Sequence, residues 1–352
     1  MTKFLHDLSY AEIEKLVLDE GEKKFRAKQL FDWLYSYATE NEMTNMPKAL
    51  IERLKSIGYE FQPLSIKGEY KGKEAIKYLL KTTDNQLIEC VLMPYKHGNT
   101  ICVSTQIGCR MGCKFCASGA NGLVRNLTSG EILSEVLLVN KLLKSTDFEN
   151  ASKDRKITNI VLMGSGEPLD NYDNVVKFLK LVTDQAGICI SPRNISVSTC
   201  GLAPKIIEFA NETLPVTLCI SLHATTDEMR KKTMPIANAY SLAQLFDAIK
   251  KYQDKCKRRV CFEYITTPEN TTEQDAKRLA SLTKNLLCFV NLIVPNETQG
   301  QKRVFTRNDA YKFGGLLLKH GVRSTVRRSL GSDIEGACGQ LKRRVEKEEG
   351  NK

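Results

Sequence analysis

Cys109-Arg110-Met111-Gly112-Cys113-Lys114-Phe115-Cys116 is the stretch on which the reading of this chain turns. It sets three thiols at CxxxCxxC spacing. Thiolates are soft ligands, suited to iron–sulfur clusters or zinc. A structural zinc site takes four protein ligands, and no fourth Cys or His lies close by in sequence. Three thiolates hold a [4Fe–4S] cluster and leave one iron open to chelate a substrate. The plain alternative is three buried core cysteines. The spacing, and the glycines at 108, 112 and 119, weigh against it.

Outward from this stretch, composition narrows the class. The chain has 352 residues, enough for a sizeable core and more than one domain. Its 42% apolar and 26% charged residues are those of a soluble globular protein. No apolar run approaches the ~20 residues of a membrane span, and Met1-Thr2-Lys3-Phe4-Leu5-His6-Asp7 lacks a signal peptide's apolar core. The twelve cysteines are too sparse for a disulfide scaffold. These features predict a cytoplasmic protein. The net charge of +11 suits a polyanion such as RNA. Basic residues gather at Arg230-Lys231-Lys232, from Lys255 to Arg259, and at Arg323 with Arg327-Arg328, where they are expected to track phosphates.

Four regions are expected. Residues 1–65 read as helices, with a Ser9/Glu12 capping box, a Gly21 C-cap and apolar faces through Leu30, Phe31, Leu34, Leu50 and Leu54. Residues 66–94 alternate as a small antiparallel β element carrying Glu89 and Cys90. Residues 95–330 alternate strand and helix. Strands are predicted at 100–104, 157–163, 194–198, 216–222, 260–265 and 288–294, and helices at 129–144, 172–185, 203–212, 242–254, 273–286 and 307–320. Such alternation implies a parallel sheet under helices, and six repeats are too few for an eight-fold barrel. Residues 331–352 form a Gly-rich, then charged, C-terminal extension. Reactive groups in such folds sit at the C-terminal ends of strands. The three-Cys loop, Gly164-Ser165-Gly166-Glu167-Pro168, Ser198 and Ser221-Leu222-His223 all fall there.

The three-Cys stretch resembles the cluster motif of radical S-adenosylmethionine (SAM) enzymes. Its flanks are Cys102-Val103-Ser104-Thr105-Gln106-Ile107-Gly108 and Gly122-Leu123-Val124-Arg125-Asn126-Leu127-Thr128. With Gly166-Glu167-Pro168 and Ala337-Cys338-Gly339-Gln340-Leu341, they resemble the RlmN/Cfr family of RNA adenine methyltransferases over nearly the whole chain. The fold implied is α/β, a partial (β/α)6 radical SAM barrel with an N-terminal helical accessory domain that binds RNA. The cofactors implied are one [4Fe–4S] cluster on Cys109, Cys113 and Cys116, and SAM. Gly166, Glu167, Ser198, Ser221, Leu222, His223 and Asn296 match the family's SAM contacts, although Val294-Pro295 before Asn296 departs from the usual Pro-x-Asn order.

The resemblance also gives two more cysteines covalent work. An adenine ring carbon is not nucleophilic, so ordinary methyl transfer from SAM fails there. In the implied route one SAM methylates Cys338, and a second yields a 5′-deoxyadenosyl radical that takes hydrogen from that methyl. The resulting methylene radical adds to the base. Glu89 accepts a proton, and Cys102 releases the product by forming a disulfide with Cys338. The implied substrates are carbon 2 of an adenosine in 23S rRNA and of the adenosine beside the anticodon in some tRNAs. A one-electron reductant such as flavodoxin or ferredoxin is the implied partner, no membrane is involved, and the protein is expected to be a monomer. The alternatives are methylation of carbon 8, as by Cfr, and a non-catalytic RNA-binding iron–sulfur protein, which would need neither Cys338 nor Glu89.

Overall fold

The computed structural model describes residues 3–95, 98–144, 156–295 and 305–328. Near its start, Ser9 Oγ accepts from the Glu12 N–H at 3.3 Å while Glu12 Oε2 accepts from the Ser9 N–H at 2.7 Å. This capping box satisfies two orphan donors of the first helix. The N-terminal module runs β1 (Lys3–Phe4), α1 (Tyr10–Asp19), α2 (Phe25–Tyr35), α3 (Lys48–Ser56) and β2 (Tyr59–Glu60), the last pairing in parallel with β1. Ile13, Val17, Leu30, Phe31, Leu34, Leu50 and Leu54 close a small core of their own. Trp33 packs on the edge of that core, and its Nε1 donates to Asn45 Oδ1.

A ten-stranded sheet makes up the rest. β3 (Leu64–Lys71), β4 (Ile76–Thr82) and β5 (Leu87–Tyr95) are antiparallel. β5 then pairs antiparallel with β6 (Gly98–Cys102), so the antiparallel element is continuous with the main sheet. β7 (Gln106–Gly108) and β8 (Leu123–Asn126) form a separate hairpin around the three-Cys loop. From there the chain alternates: α4 (Ser129–Leu143), β9 (Ile157–Leu162), α5 (Tyr172–Thr183), β10 (Ile195–Thr199), α6 (Ala203–Asn211), β11 (Thr217–Ser221), α7 (Asp227–Thr233), α8 (Leu242–Cys256), β12 (Val260–Ile265), α9 (Glu273–Thr283), β13 (Cys288–Ile293), α10 (Arg307–Lys319) and β14 (Ser324–Val326).

The parallel order is β6-β9-β10-β11-β12-β13-β14. This is the expected six-repeat open barrel, with a short seventh strand added. Side-chain alternation explains the layering. Leu218 and Ile220, Val260, Phe262 and Tyr264, and Val290 and Leu292 are buried in the large core shared with the helices. The alternate residues, among them Ser198, Cys219, Ser221, Cys261, Glu263 and Asn291, face the lumen and are largely polar. The strands at the two ends of the sheet, β14 and β3, do not pair. Arg328 after β14 instead forms an ion pair with Glu74, in the β3–β4 turn. Among the described residues no helix is long and apolar enough to cross a membrane.

Candidate active site

The three-Cys loop is closed at its base. Gly108 has φ +79°, and a Cβ there would lie 2.0 Å from Gly122 O, so only glycine lets the strands meet. The Cys109 N–H donates to that same Gly122 oxygen at 2.9 Å. At the tip, the Cys116 N–H turns back to Cys113 O at 3.0 Å, and the Lys114 N–H donates to Thr233 O of α7 at 2.9 Å. Cys109 is buried, and Cys113 and Cys116 are half-buried.

All three cysteines line a cleft of about 800 Å³. The C-terminal ends of β9–β13 form its other wall, through Gly166, Glu167, Ser198, Ser221, His223, Glu263 and Ile265. Gly166, at φ +108°, has no room for a side chain, since a Cβ would come 2.6 Å from that of Gln106. Glu167 is buried, and burial raises its pKa. Its Oε2 accepts from the Cys200 N–H at 2.7 Å and its Oε1 from the Leu169 N–H at 3.0 Å. The Thr199 and Cys200 side chains bond to it as well, so the carboxylate is held in place at the cleft wall.

His223 is held at φ +57°. Its Nδ1 accepts from the Ile265 N–H at 3.1 Å, so the neutral ring carries its proton on Nε2. Burial, and to a smaller extent Arg230, lower its pKa to about 3. The Phe115 ring, 45% exposed, stands edge-on to it at 4.8 Å.

Three expected site residues lie off the cleft lining. Leu222 is fully buried, its side chain in the core; only its backbone is directed to the strand end. Cys102 and Glu89 are buried on β6 and β5. Cys102 pairs with Val91, so Glu89, two residues from Val91, shares its face. Lys77 Nζ, fully buried, sits 3.1 Å from Glu89 Oε2. The Ser104 hydroxyl donates to Glu89 O at 2.8 Å and accepts from the Ser165 N–H at 3.0 Å, tying this strand to the glycine turn. Asn296 and Cys338 lie outside the described residues.

The donor set fits a cluster with an open iron. Among the described residues, one other Cys and one His line the cleft, and both are engaged: His223 Nδ1 by a backbone N–H, and the Cys200 thiol by Glu167. Burial pushes the Cys109 thiol up to about 11 and the Cys113 thiol up to about 12. Bound iron supplies the positive charge that deprotonates such thiols.

Sequence reasoning missed several lining residues, including Thr199, Cys200, Met234, Glu263 and Arg327. For Glu263 a signal existed, an acid inside the apolar run Val260–Ile265. Cys219, Cys261 and Glu263 bring their ligand atoms within 4.8 Å of one another. There the Cys261 Sγ is 3.3 Å from Glu263 Oε1, and Asn291 Nδ2 donates to both carboxylate oxygens.

Known proteins align with this arrangement. A family model described as the Radical SAM superfamily matches residues 103–282, and one described as the Ribosomal RNA large subunit methyltransferase N-terminal domain matches residues 4–59. A probable dual-specificity RNA methyltransferase RlmN of Clostridium perfringens (strain 13 / Type A) is 50% identical, covering 99% of each chain. One from Clostridium acetobutylicum is 46% identical over 98% of each. The crystal structure of a radical SAM methyltransferase from Sphaerobacter thermophilus superposes with a TM-score of 0.88 at 37% identity, covering 96% of this chain and 98% of that one. Matched from end to end in sequence and through nearly its whole length in structure, the chain belongs to the radical SAM superfamily and, within it, to the RlmN family of methyltransferases.

Proposed function

We propose that the chain methylates carbon 2 of an adenosine in 23S rRNA, and of the adenosine beside the anticodon in some tRNAs, through a methylated Cys338. The observation that carries this reading is the convergence of three loop thiols on one cleft with the Gly166-Glu167 turn, Ser198, Ser221 and His223. Cys109, Cys113 and Cys116 would hold one [4Fe–4S] cluster. When bound and reduced by one electron, cluster and SAM supply a 5′-deoxyadenosyl radical.

The chain's own residues do the rest. Glu167 offers the negative charge of its carboxylate to the ammonium of SAM, and Ser198 and Ser221 offer hydroxyls. Neutral His223 offers its Nε2 proton without adding charge. Cys338 accepts a methyl group by displacement. Glu89, in ion pair with Lys77, takes the proton that leaves the alkylated ring carbon, and the adduct's unpaired electron passes back to the redox partner. The Cys102 thiolate attacks the Cys338 sulfur and breaks its bond to the added carbon, which takes up a proton to become the methyl group, leaving a Cys102–Cys338 disulfide for reduction. The reading includes RNA contact by the N-terminal module, a monomer in the cytoplasm, and a flavodoxin or ferredoxin as the electron source. The test is mass spectrometry of nucleosides from 23S rRNA and tRNA of cells with and without the gene. 2-Methyladenosine should vanish from both on deletion. Loss of 8-methyladenosine instead, or no loss, would overturn the proposal.

A further inference from the structure

Arg230 belongs by sequence to a basic run, but it is not part of the surface. Lys231 and Lys232 are exposed, while Arg230 is 0% exposed, so the expectation that it tracks phosphates does not hold. Burying a guanidinium takes a charge out of water at a large cost, yet among the described residues no carboxylate lies within ion-pair distance of it. Its hydrogen bonds go to carbonyls at two strand ends. Nη2 donates to Cys200 O at 2.5 Å and to Ser221 O at 3.3 Å, and Nε donates to Leu222 O at 3.3 Å. Nη1 is buried with no hydrogen-bond partner.

The segment that carries Arg230 also grips the three-Cys loop. Thr233 O accepts from the Lys114 N–H, and a Cβ on Gly112 would touch Pro235 at 3.5 Å. The guanidinium is near enough to Cys113 for a charge there to feel it.

We propose that Arg230 is a positioning residue that ties the three-Cys loop to the β10 and β11 ends of the SAM cleft, and that its buried cation beside Cys113 raises the reduction potential of the cluster. Reduction adds an electron, so a fixed positive charge in a low-dielectric site stabilises the reduced form more than the oxidised one. The inference rests on the cluster reading above.

Anaerobically reconstituted parent, Arg230→Gln and Arg230→Lys would be compared by iron content, EPR-monitored redox titration and the SAM-induced change in the EPR spectrum. Arg230→Gln should shift the midpoint potential to more negative values and weaken SAM saturation. Arg230→Lys keeps the charge but lacks the planar fork that reaches both strand ends, so its potential should match the parent while SAM half-saturation rises roughly tenfold, as expected for the loss of about one charge-assisted hydrogen bond. An iron-replete Arg230→Gln with an unmoved potential would overturn the charge role, and an Arg230→Lys that saturates with SAM like the parent would overturn the tie. Should Arg230→Gln fail to fold, Arg230→Lys decides both points, since a potential falling despite the retained charge also contradicts the claim. A parent without any cluster signal would sink the cluster reading itself, whereas a parent signal with unmoved variants sinks this inference alone.

Discussion

His223 sits at φ +57°, a left-handed conformation that costs a non-glycine residue on the order of 1 kcal/mol. Bonds from the Ile265 N–H to its ring and from Asn270 Nδ2 to its carbonyl hold it there. Burial keeps its pKa near 3 and that of His6, in the N-terminal module, near 4. The unfolded chain takes up these two protons near pH 6.5 and the folded chain does not, so their contribution to stability is present above about 6.5 and is lost as pH falls toward the folded values. Each should cost about 2 kcal/mol between pH 7.5 and 5. Urea midpoints across that range test this, and His6→Gln should remove about half of the dependence; an unchanged slope would contradict it. At Cys102, buried in a strand, replacement by Ala should cost on the order of 1 kcal/mol. If Cys102 is the resolving thiol, the variant should also stall as a covalent protein–RNA adduct that survives denaturation. Normal product and no adduct on a denaturing gel would leave it a structural residue only.

At the scale of elements, the β7–β8 hairpin decides whether the three thiols are presented at all. Gly108→Ala would push a Cβ into Gly122 O, which also accepts from Cys109, at a cost on the order of 2 kcal/mol or more. The variant should lose most of its iron while keeping its far-UV spectrum, and full iron content would contradict the role given to this contact. Elements that bury an apolar stripe were legible from sequence. β12 was expected at Val260–Ile265 and is found there, because Val260, Phe262 and Tyr264 all pack into the helix-facing core. α7 was not legible. It is seven residues long, and Arg230-Lys231-Lys232 resembles a solvated face. Its N-cap Thr226, with Asp227 and Glu228 in the first turn, was the overlooked signal. β14 and the β7–β8 pairing were missed for a related reason: three- and four-residue strands carry too little alternation to read. Within the site, the glycines and thiols could be read from spacing. Leu222, Arg230 and Glu263 could not be placed, because a strand's side-chain direction and burial depend on its neighbours in the sheet.

Across the whole molecule, the N-terminal module is fastened to the barrel through α4 and the start of β3. Asp7 Oδ1 accepts from Ser129 Oγ at 2.8 Å and from the Gly130 N–H at 2.5 Å. Tyr37 Oη donates to Leu64 O at 2.7 Å, and Lys141 pairs with Glu42. Asp7→Ala should lower stability by about 1 kcal/mol and speed proteolytic cleavage between module and barrel; an unaltered digestion pattern would mean that other contacts carry the docking. Lys231, Lys232, Lys255, Lys257, Arg259, Arg323, Arg327 and Arg328 are exposed, so most of the basic clusters lie on the surface where a polyanion can reach them, although Arg328 is paired with Glu74 and Arg327 with Glu263. The proposed chemistry is most exposed to refutation in the path of the methyl group through Cys338. Purified enzyme, reductant and RNA would be supplied with SAM bearing a trideuterated methyl group, and the product nucleoside weighed. Passage through a methylated Cys338 removes one deuterium to 5′-deoxyadenosine, so the methyladenosine should carry two. A methyladenosine that keeps all three would contradict the route.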